Sequence, residues 1–285
     1  MKNMILVCTL GFLWAGSAFG RSQGFVDLDI RRPLLGGESG QLFVSCSLDT
    51  HVTMCFLDTG ARQSNVPNDS FFGAYPVVST GLITGASGLE IPTQEIEIGE
   101  FRVGPLTAQK IVVDLQPDGW FANGPLVGND VLDGQALRFQ FNEKRLYFDG
   151  LVPTGVPLNS LDRPGGLWVG MSAEVGGQVV KTLWDTGAGM TVVDKDLVLA
   201  SPDQYRFVQY IEAGDGLGER WRAAVYKTKM EVGGHVIEDL QVVAIDFAKI
   251  QKDVSPDVKA IVGFNFYERF NWLVDYQQNL WAVWK

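Results

Sequence analysis

Short runs of apolar residues, many of them β-branched or aromatic, follow one another along most of the chain. Segments such as FVDLDI at residues 25–30 and EIEIGEFRV at 95–103 alternate apolar and polar positions with the period of two that is typical of a half-buried β-strand. Turn residues separate these runs, and the 3.6-residue period of an amphipathic helix is scarce. The pattern predicts a mainly β fold with short helices near residues 129–136, 194–200 and 264–270.

The pattern also repeats once along the chain. Residues 40–66, in which a strand, a turn, a second strand and a bend are predicted, correspond to residues 165–193. Further on, PLVGNDVL at 125–132 corresponds to AIVGFNFY at 260–267. A tandem duplication accounts for two such matches in the same order.

The junction between the two copies falls near residues 150–155, in the Pro- and Gly-bearing stretch DGLVPTG. We therefore expect two similar lobes, over residues 21–150 and 151–285, related by a pseudo-twofold axis. Such an axis can bring equivalent loops face to face, as the axis of a symmetric dimer does.

Each copy has one apolar strand that ends in Asp-Thr-Gly, at Asp58 and at Asp185. A single such tripeptide is weak evidence, because a turning Asp at the surface explains it equally well. Two in matching context predict that both carboxyl groups meet at the pseudo-twofold axis. Gly60 and Gly187 would permit the tight bend. The Thr59 and Thr186 hydroxyl groups would hydrogen-bond the opposite loop.

Two carboxyl groups this close share one proton, because both cannot ionise cheaply. One can act as general base on a water molecule while the other, protonated, polarises a carbonyl group. This chemistry requires no cofactor and no metal. The two histidines, His51 and His235, do not belong to a cluster with metal-ligand spacing, so we expect no metal site.

With these motifs the sequence resembles the aspartic proteases, in which a pair of Asp residues sharing one proton is an established feature. In both halves an apolar pair and a glycine follow, ending at Gly128 and Gly263, as in the family's strand that threads beneath the catalytic loop. The resemblance covers nearly the whole mature chain. It implies the acid-protease fold of two small β-barrel lobes, with Asp58 and Asp185 as catalytic residues.

Within the superfamily the small lobes look closer to bacterial retropepsin-like domains than to pepsins. Two fused lobes imply an active monomer that acts on peptides or proteins. The flap tyrosine of pepsins has no match, because Tyr75 comes too early after Asp58. Trp184, directly before the second Asp, is bulkier than the usual aliphatic residue.

The resemblance also implies flaps, which are β-hairpins that close over the substrate. Two glycine-bearing segments occupy corresponding places in the two halves, and glycine there would supply mobility. The candidate residues are Thr84, Gly85, Ala86, Ser87 and Gly88 in the first half, and Gly214, Asp215, Gly216, Leu217 and Gly218 in the second.

Two cysteines, Cys46 and Cys55, lie on the two predicted strands of one hairpin. A two-residue turn at Thr50 and His51 would place Cys46 directly opposite Cys55, on a rung where side chains approach closely. This register predicts a cross-strand disulfide. Two reduced, buried thiols are the alternative.

The first twenty residues resemble a secretory signal, with an early Lys, an apolar run and small residues before a cleavage site. The formal net charge is −10, and removal of Lys2 with the signal leaves 22 basic against 33 acidic residues, or −11. This acidic balance argues against nucleic acid or an anionic membrane as a partner. We therefore expect an exported protein, periplasmic or secreted.

The sequence thus supports an exported aspartic endopeptidase that activates water between Asp58 and Asp185. The alternative is a catalytically silent peptide-binding module that uses the same cleft. Loss of an Asp or of a bend would favour the alternative, and both motifs are intact.

Overall fold

The computed structural model describes residues 24–32, 38–116 and 124–285. The predicted signal, residues 1–20, lies outside the described residues. Among the residues that are described, no helix is long and apolar enough to cross a membrane.

Short strands dominate both halves of the described chain. The first ten are β1 (Phe25–Arg31), β2 (Gln41–Leu48), β3 (His51–Leu57), β4 (Asn65–Val66), β5 (Val77–Thr84), β6 (Glu90–Val103), β7 (Leu106–Leu115), β8 (Leu126–Val127), β9 (Ala136–Gln140) and β10 (Arg145–Tyr147). The next ten are β11 (Asn159–Ser160), β12 (Gly170–Val175), β13 (Gln178–Trp184), β14 (Thr191–Asp194), β15 (Arg206–Gly214), β16 (Arg220–Val232), β17 (His235–Ile245), β18 (Val258–Val262), β19 (Asn271–Asp275) and β20 (Leu280–Trp284). The prediction of a mainly β fold is confirmed.

Four short α-helices join the strands in the described chain: α1 (Asn129–Leu132), α2 (Lys195–Ala200), α3 (Ala248–Asp253) and α4 (Phe264–Tyr267). Three lie where the sequence predicts them. The α3 helix was not predicted. Single turns of 3₁₀ helix occur at Phe72–Ala74, Pro164–Gly166 and Pro202–Gln204.

The described strands form two sheets. One has the order β11-β20-β19-β9-β10-β1-β2-β3-β8-β4-β7-β6-β5, and the other has the order β12-β13-β18-β14-β17-β16-β15. The pairings repeat between the halves: β3 lies parallel to β8 as β13 does to β18, and β4 lies parallel to β7 as β14 does to β17. The repeat agrees with a duplication, while the lobe boundaries at residues 21–150 and 151–285 stay a prediction.

One ladder ties the two halves together. Strand β19, from the end of the chain, pairs antiparallel with β9 of the first half, and Trp272 faces Phe139. Both side chains are fully buried, and the main hydrophobic cluster contains residues from both halves. The core is therefore continuous beneath the two Asp-Thr-Gly bends.

The hairpin β2–β3 differs from its predicted register. Leu48 pairs with His51 and Cys46 with Thr53, so the turn lies at Asp49 and Thr50, one residue earlier than predicted. Contacts from outside the hairpin fix the turn there. The Asp49 carboxylate accepts hydrogen bonds from the hydroxyl group of Tyr75 and the backbone N–H of Glu100, each at 2.8 Å.

The disulfide between Cys46 and Cys55 is nevertheless present. The two residues are diagonal neighbours on the same face of the hairpin and not direct partners, with 5.8 Å between their Cα atoms. This separation lies within the usual range for a disulfide. Both sulfur-bearing side chains are buried in the main core.

We expect replacement of both cysteines by alanine to lower the free energy of unfolding by about 2–3 kcal/mol, because the short closed loop restricts the unfolded chain. Urea unfolding of the double variant beside the parent protein measures this change. The Ser45→Ala variant, on the opposite face of β2, is the control. A peptide map showing Cys46 and Cys55 as free thiols, or an unchanged unfolding midpoint, would contradict the prediction.

Candidate active site

Each Asp-Thr-Gly bend follows a buried strand that is held by a parallel neighbour. Strand β3 delivers Asp58, whose backbone N–H donates to Val127 O of β8 at 3.0 Å. Strand β13 delivers Asp185 in the same way, and its N–H donates to Val262 O of β18 at 3.1 Å. The apolar residues before each Asp are buried, so the two carboxyl groups enter the centre of the molecule on rigid supports.

Strands β8 and β18, which support the two bends, are each followed by a glycine that the close backbone packing requires. A Cβ on Gly128 would lie 2.8 Å from the carbonyl carbon of Gln63, and one on Gly263 would overlap the backbone of Met190. The next N–H groups, of Asn129 and Phe264, donate to the carbonyl oxygens of the bends at 3.0 and 2.8 Å. The predicted role of both glycines as supports agrees with this close backbone approach.

The two threonines form a reciprocal set of hydrogen bonds across the pseudo-twofold axis. The hydroxyl oxygen of Thr186 accepts from Thr59 N at 2.9 Å, and that of Thr59 accepts from Thr186 N at 3.0 Å. Each hydroxyl group also donates to a carbonyl of the opposite supporting strand, Thr59 to Trp184 O and Thr186 to Leu57 O. Both threonines are fully buried, so these bonds fix the relative position of the bends.

The structure brings Asp58 and Asp185 together. Their carboxyl groups are hydrogen-bonded to each other. Gly60 N donates to Asp58 Oδ1 at 2.8 Å, and Gly187 N donates to Asp185 Oδ1 at 2.7 Å. A Cβ on either glycine would overlap the carboxyl group of the opposite Asp, so only glycine permits this approach.

The two carboxyl groups titrate as a pair. Burial raises the pKa of Asp58 well above its usual value, and the neighbouring Asp185 carboxylate raises it further. Burial also raises the pKa of Asp185, but hydrogen bonds from Gly187 N and from Asp58 oppose that effect. The pair therefore retains one shared proton to higher pH than an isolated Asp would.

Polar residues that the sequence did not point to also hold the first bend. The amide nitrogen of Asn129 donates to Thr59 O and Ala61 O at 2.7 and 3.0 Å, and its oxygen accepts from Tyr276 Oη at 2.8 Å. Trp168 Nε1 donates to Gly60 O at 2.8 Å, from the other half of the chain. No local signal marks these residues, since their partners are distant in sequence.

The second bend has a different support. Tyr267 Oη donates to Thr186 O at 3.0 Å, and burial, with the two nearby aspartates, raises the pKa of Tyr267 well above its usual value. Trp184, which the sequence marked as unusually bulky, is fully buried beneath the bends. Its ring packs edge-on against Phe139 at 4.9 Å. Aromatic packing here replaces the amide hydrogen bonds of the first half.

The candidate flap residues lie at the tips of two hairpins, β5–β6 and β15–β16. The tips meet: Ser87 N donates to Asp215 Oδ2 at 3.1 Å. Gly85 is packed so closely against Asp215 that a Cβ would overlap its carboxyl group. Gly88 and Gly218 have φ angles of +74° and +86°, which favour glycine. The role of these ten residues in substrate binding stays a prediction.

No group of three or more His, Cys, Asp or Glu side chains in the described ranges could hold a metal ion. The buried polar atoms of the bends are instead bonded to one another and to backbone groups.

Comparison with known proteins agrees with this geometry. The aspartyl protease family model matches residues 171–266, which include the second bend and β18. The structure is similar to the crystal structure of an aspartic proteinase from Irpex lacteus, with a TM-score of 0.57 and 12% sequence identity over 92% of this chain and 97% of that chain. Comparison with curated protein sequences gives no match.

A likeness at this identity shows the fold, which is that of the pepsin-like aspartic proteinases with its two sheets. The predicted acid-protease fold is therefore confirmed. The family match over residues 171–266 and the fold both agree with the resemblance to the aspartic proteases that the sequence shows.

We expect Thr59→Val to lower the free energy of unfolding by about 2–5 kcal/mol, because it leaves Thr186 N and Trp184 O buried without a partner. Urea unfolding measures the loss. Thr93→Val is a matched control, since Thr93 is also buried and its hydroxyl group donates to Leu115 O away from the bends. A loss no larger than that of the control would contradict the proposed importance of the reciprocal bonds.

The raised pKa of Asp58 predicts a pH-dependent stability difference. A carboxyl group whose pKa is raised by folding stabilises the fold fully below its unfolded pKa, and this contribution is lost as the pH rises through the folded pKa. Asp58→Asn removes the ionisation, so we expect its melting temperature to rise relative to the parent protein from acid to neutral pH. The exposed Asp203→Asn variant should show no such trend. A constant or shrinking difference for Asp58→Asn would refute the prediction.

Proposed function

We propose that this protein is an exported aspartic endopeptidase that hydrolyses peptide bonds by activating a water molecule between Asp58 and Asp185. One observation carries the proposal: two buried, hydrogen-bonded carboxyl groups with raised pKa values lie at the meeting point of two equivalent bends. A structural role alone does not require both charges at this point, because burying even one of them is costly.

In the first step Asp185 accepts a proton from the water molecule, whose oxygen attacks the carbonyl carbon of the scissile peptide. Asp58 donates its proton to the carbonyl oxygen at the same time, which yields a neutral tetrahedral diol. The roles of the two carboxyl groups can be exchanged, because the pair titrates as one unit that holds a single shared proton. The N–H donors on Asp58 Oδ1 and Asp185 Oδ1 leave the remaining oxygens to face the substrate.

In the second step the bond between the carbon and the nitrogen breaks. Asp185 returns its proton to the leaving nitrogen, and Asp58 takes back a proton from one hydroxyl group of the diol. The products are a carboxylic acid and an amine, and the pair again holds one proton. Because each step moves one proton to and one from the pair, a single shared proton is sufficient.

The substrate would lie extended between the bends and the two hairpin tips, adding a strand beside the hairpins. The bond from Ser87 N to Asp215 joins the two tips, so the hairpins must part to admit a peptide between them. Two hairpins that meet from equivalent positions favour a retropepsin-like rather than a pepsin-like enzyme. The fusion of both halves in one chain supports an active monomer.

Export is proposed from the signal-like residues 1–20 and from the Cys46–Cys55 disulfide, which suits an oxidising compartment.

We expect Asp58→Asn and Asp185→Asn each to lower the rate of peptide cleavage by about 10²–10⁴-fold, the contribution typical of a general acid or base. An unfolded protein is incubated with the parent protein and each variant from acid to neutral pH, and the fragments are identified by mass spectrometry. The parent protein should show a bell-shaped pH profile, because only the singly protonated pair is active.

Asp203→Asn, on the exposed surface, should cleave at the parent rate. Fragments that persist with both Asp58→Asn and Asp185→Asn would refute the proposed mechanism. Absence of fragments from the parent protein, together with retention of peptides by it, would favour the silent peptide-binding module.

A further inference from the structure

Two groups of residues occupy equivalent positions at the bases of the two hairpins, and we call each group a pocket. Asn65 and Val192 stand at the same distance along the chain after Asp58 and Asp185. In the first half Asn65 pairs with Asp114, and Asp114 faces Glu95 on β6. In the second half Val192 pairs with Val243, and Val243 faces Val225 on β16. The first pocket comprises Gln63, Asn65, Glu95 and Asp114, and the second pocket comprises Met190, Val192, Val225 and Val243.

The residues of both pockets lie on the face of the sheet that is turned away from the main core. Val113 and Leu115, the neighbours of Asp114 on β7, point into that core, so Asp114 points to the opposite face. In the second half this face carries Val243, which packs with Met190 and with the hairpin residue Trp221. Each pocket thus lies between a hairpin and the segment that leaves a catalytic bend.

The two pockets have opposite chemistry. The second is apolar, and its Val225 and Val243 form a small hydrophobic cluster. The first carries two carboxyl groups on directly paired residues, and like charges in this position destabilise a sheet. An apolar residue at either position would avoid that cost, as the equivalent valines do in the second half.

Asp114 is the least satisfied group of the first pocket. The residue as a whole is only 7% exposed, its carboxyl group still reaches solvent, and no hydrogen bond or ion pair to its side chain occurs within the described ranges. Glu95 accepts a hydrogen bond from the Ser79 hydroxyl group and likewise has no basic neighbour in the described ion pairs. Buried carboxylates are normally paired, so the arrangement indicates a cationic group that arrives with a ligand.

We propose that Glu95 and Asp114 bind a lysine or arginine side chain of the peptide substrate, while the second pocket accepts an apolar side chain. The inference rests on the proposed protease function. An extended peptide that crosses the pseudo-twofold axis presents one side chain to each pocket, so the difference between the pockets fixes the direction in which the substrate lies.

The electrostatics of the first pocket agree with this assignment. Burial, the Glu95 carboxylate and the Asp130 carboxylate together raise the pKa of Asp114 to about 7. A bound ammonium or guanidinium group would favour the ionised form and form charge-assisted hydrogen bonds. An acidic substrate side chain would meet like charge and be excluded.

The test uses randomised peptides and two readouts. Cleavage sites of the parent protein, identified by mass spectrometry, should show Lys and Arg enriched about tenfold at one position on one side of the cut bond, as expected for a hydrogen bond to a charged group. Retention of the same peptides on immobilised Asp58→Asn protein should show the same enrichment without any need for cleavage.

Asp114→Asn combined with Glu95→Gln should abolish the enrichment in both readouts. Glu97→Gln is the matched control, because Glu97 follows on the same face of β6 but is exposed. Thermal melting checks that each variant is folded.

Enrichment that is absent from the parent protein, or that survives the double substitution, overturns the proposed pocket. Cleavage without enrichment refutes the proposed pocket but still supports the protease function. Retention of basic peptides without cleavage supports the pocket and instead refutes the protease function.

Discussion

The rest of the site depends on the reciprocal hydrogen bonds between Thr59 and Thr186. Each hydroxyl group serves as acceptor for the opposite backbone N–H and as donor to a carbonyl of the opposite supporting strand. Because all four bonds are buried, the two bends cannot separate without leaving several polar groups unsatisfied. This cost holds the carboxyl groups of Asp58 and Asp185 against each other, which raises their pKa values and makes a shared proton stable. The proposed acid and base chemistry therefore depends on a constraint on the backbone.

The site departs from symmetry in its supports. Asn129 and Trp168 bind the carbonyl groups of the first bend, whereas Tyr267 binds that of the second. The two aspartates consequently differ in environment although their own bends are nearly equivalent. The residues at the bases of the two hairpins also differ between the halves, since they include two acidic residues in the first half and are apolar in the second. The two halves thus share the geometry of the bends and differ in the residues around them.

Much of the site could be predicted from the sequence, because its motifs are local and each occurs twice. The Asp-Thr-Gly bends, Gly128 and Gly263 each repeat in matching context, and the repeat itself implies that the equivalent loops meet. The register of β2–β3 was wrong because Asp49 is bonded by Glu100 and Tyr75, which the hairpin's own sequence does not reveal. The roles of Trp168, Tyr267 and Asp114 escaped prediction for the same reason, since each depends on neighbours that only the folded chain brings near.

The ladder between β19 and β9 has a consequence for the order of events during synthesis. Strand β9 is made more than a hundred residues before its partner, and that partner also carries Trp272, which packs against Trp184 beneath the bends. A nascent first half therefore emerges with one edge of β9 unpaired and with part of the core beneath Asp58 missing. Since long-range pairing of this kind forms late, the two carboxyl groups are held together only after nearly all of the second half has been translated. The topology thereby delays completion of the site until the polypeptide is almost finished.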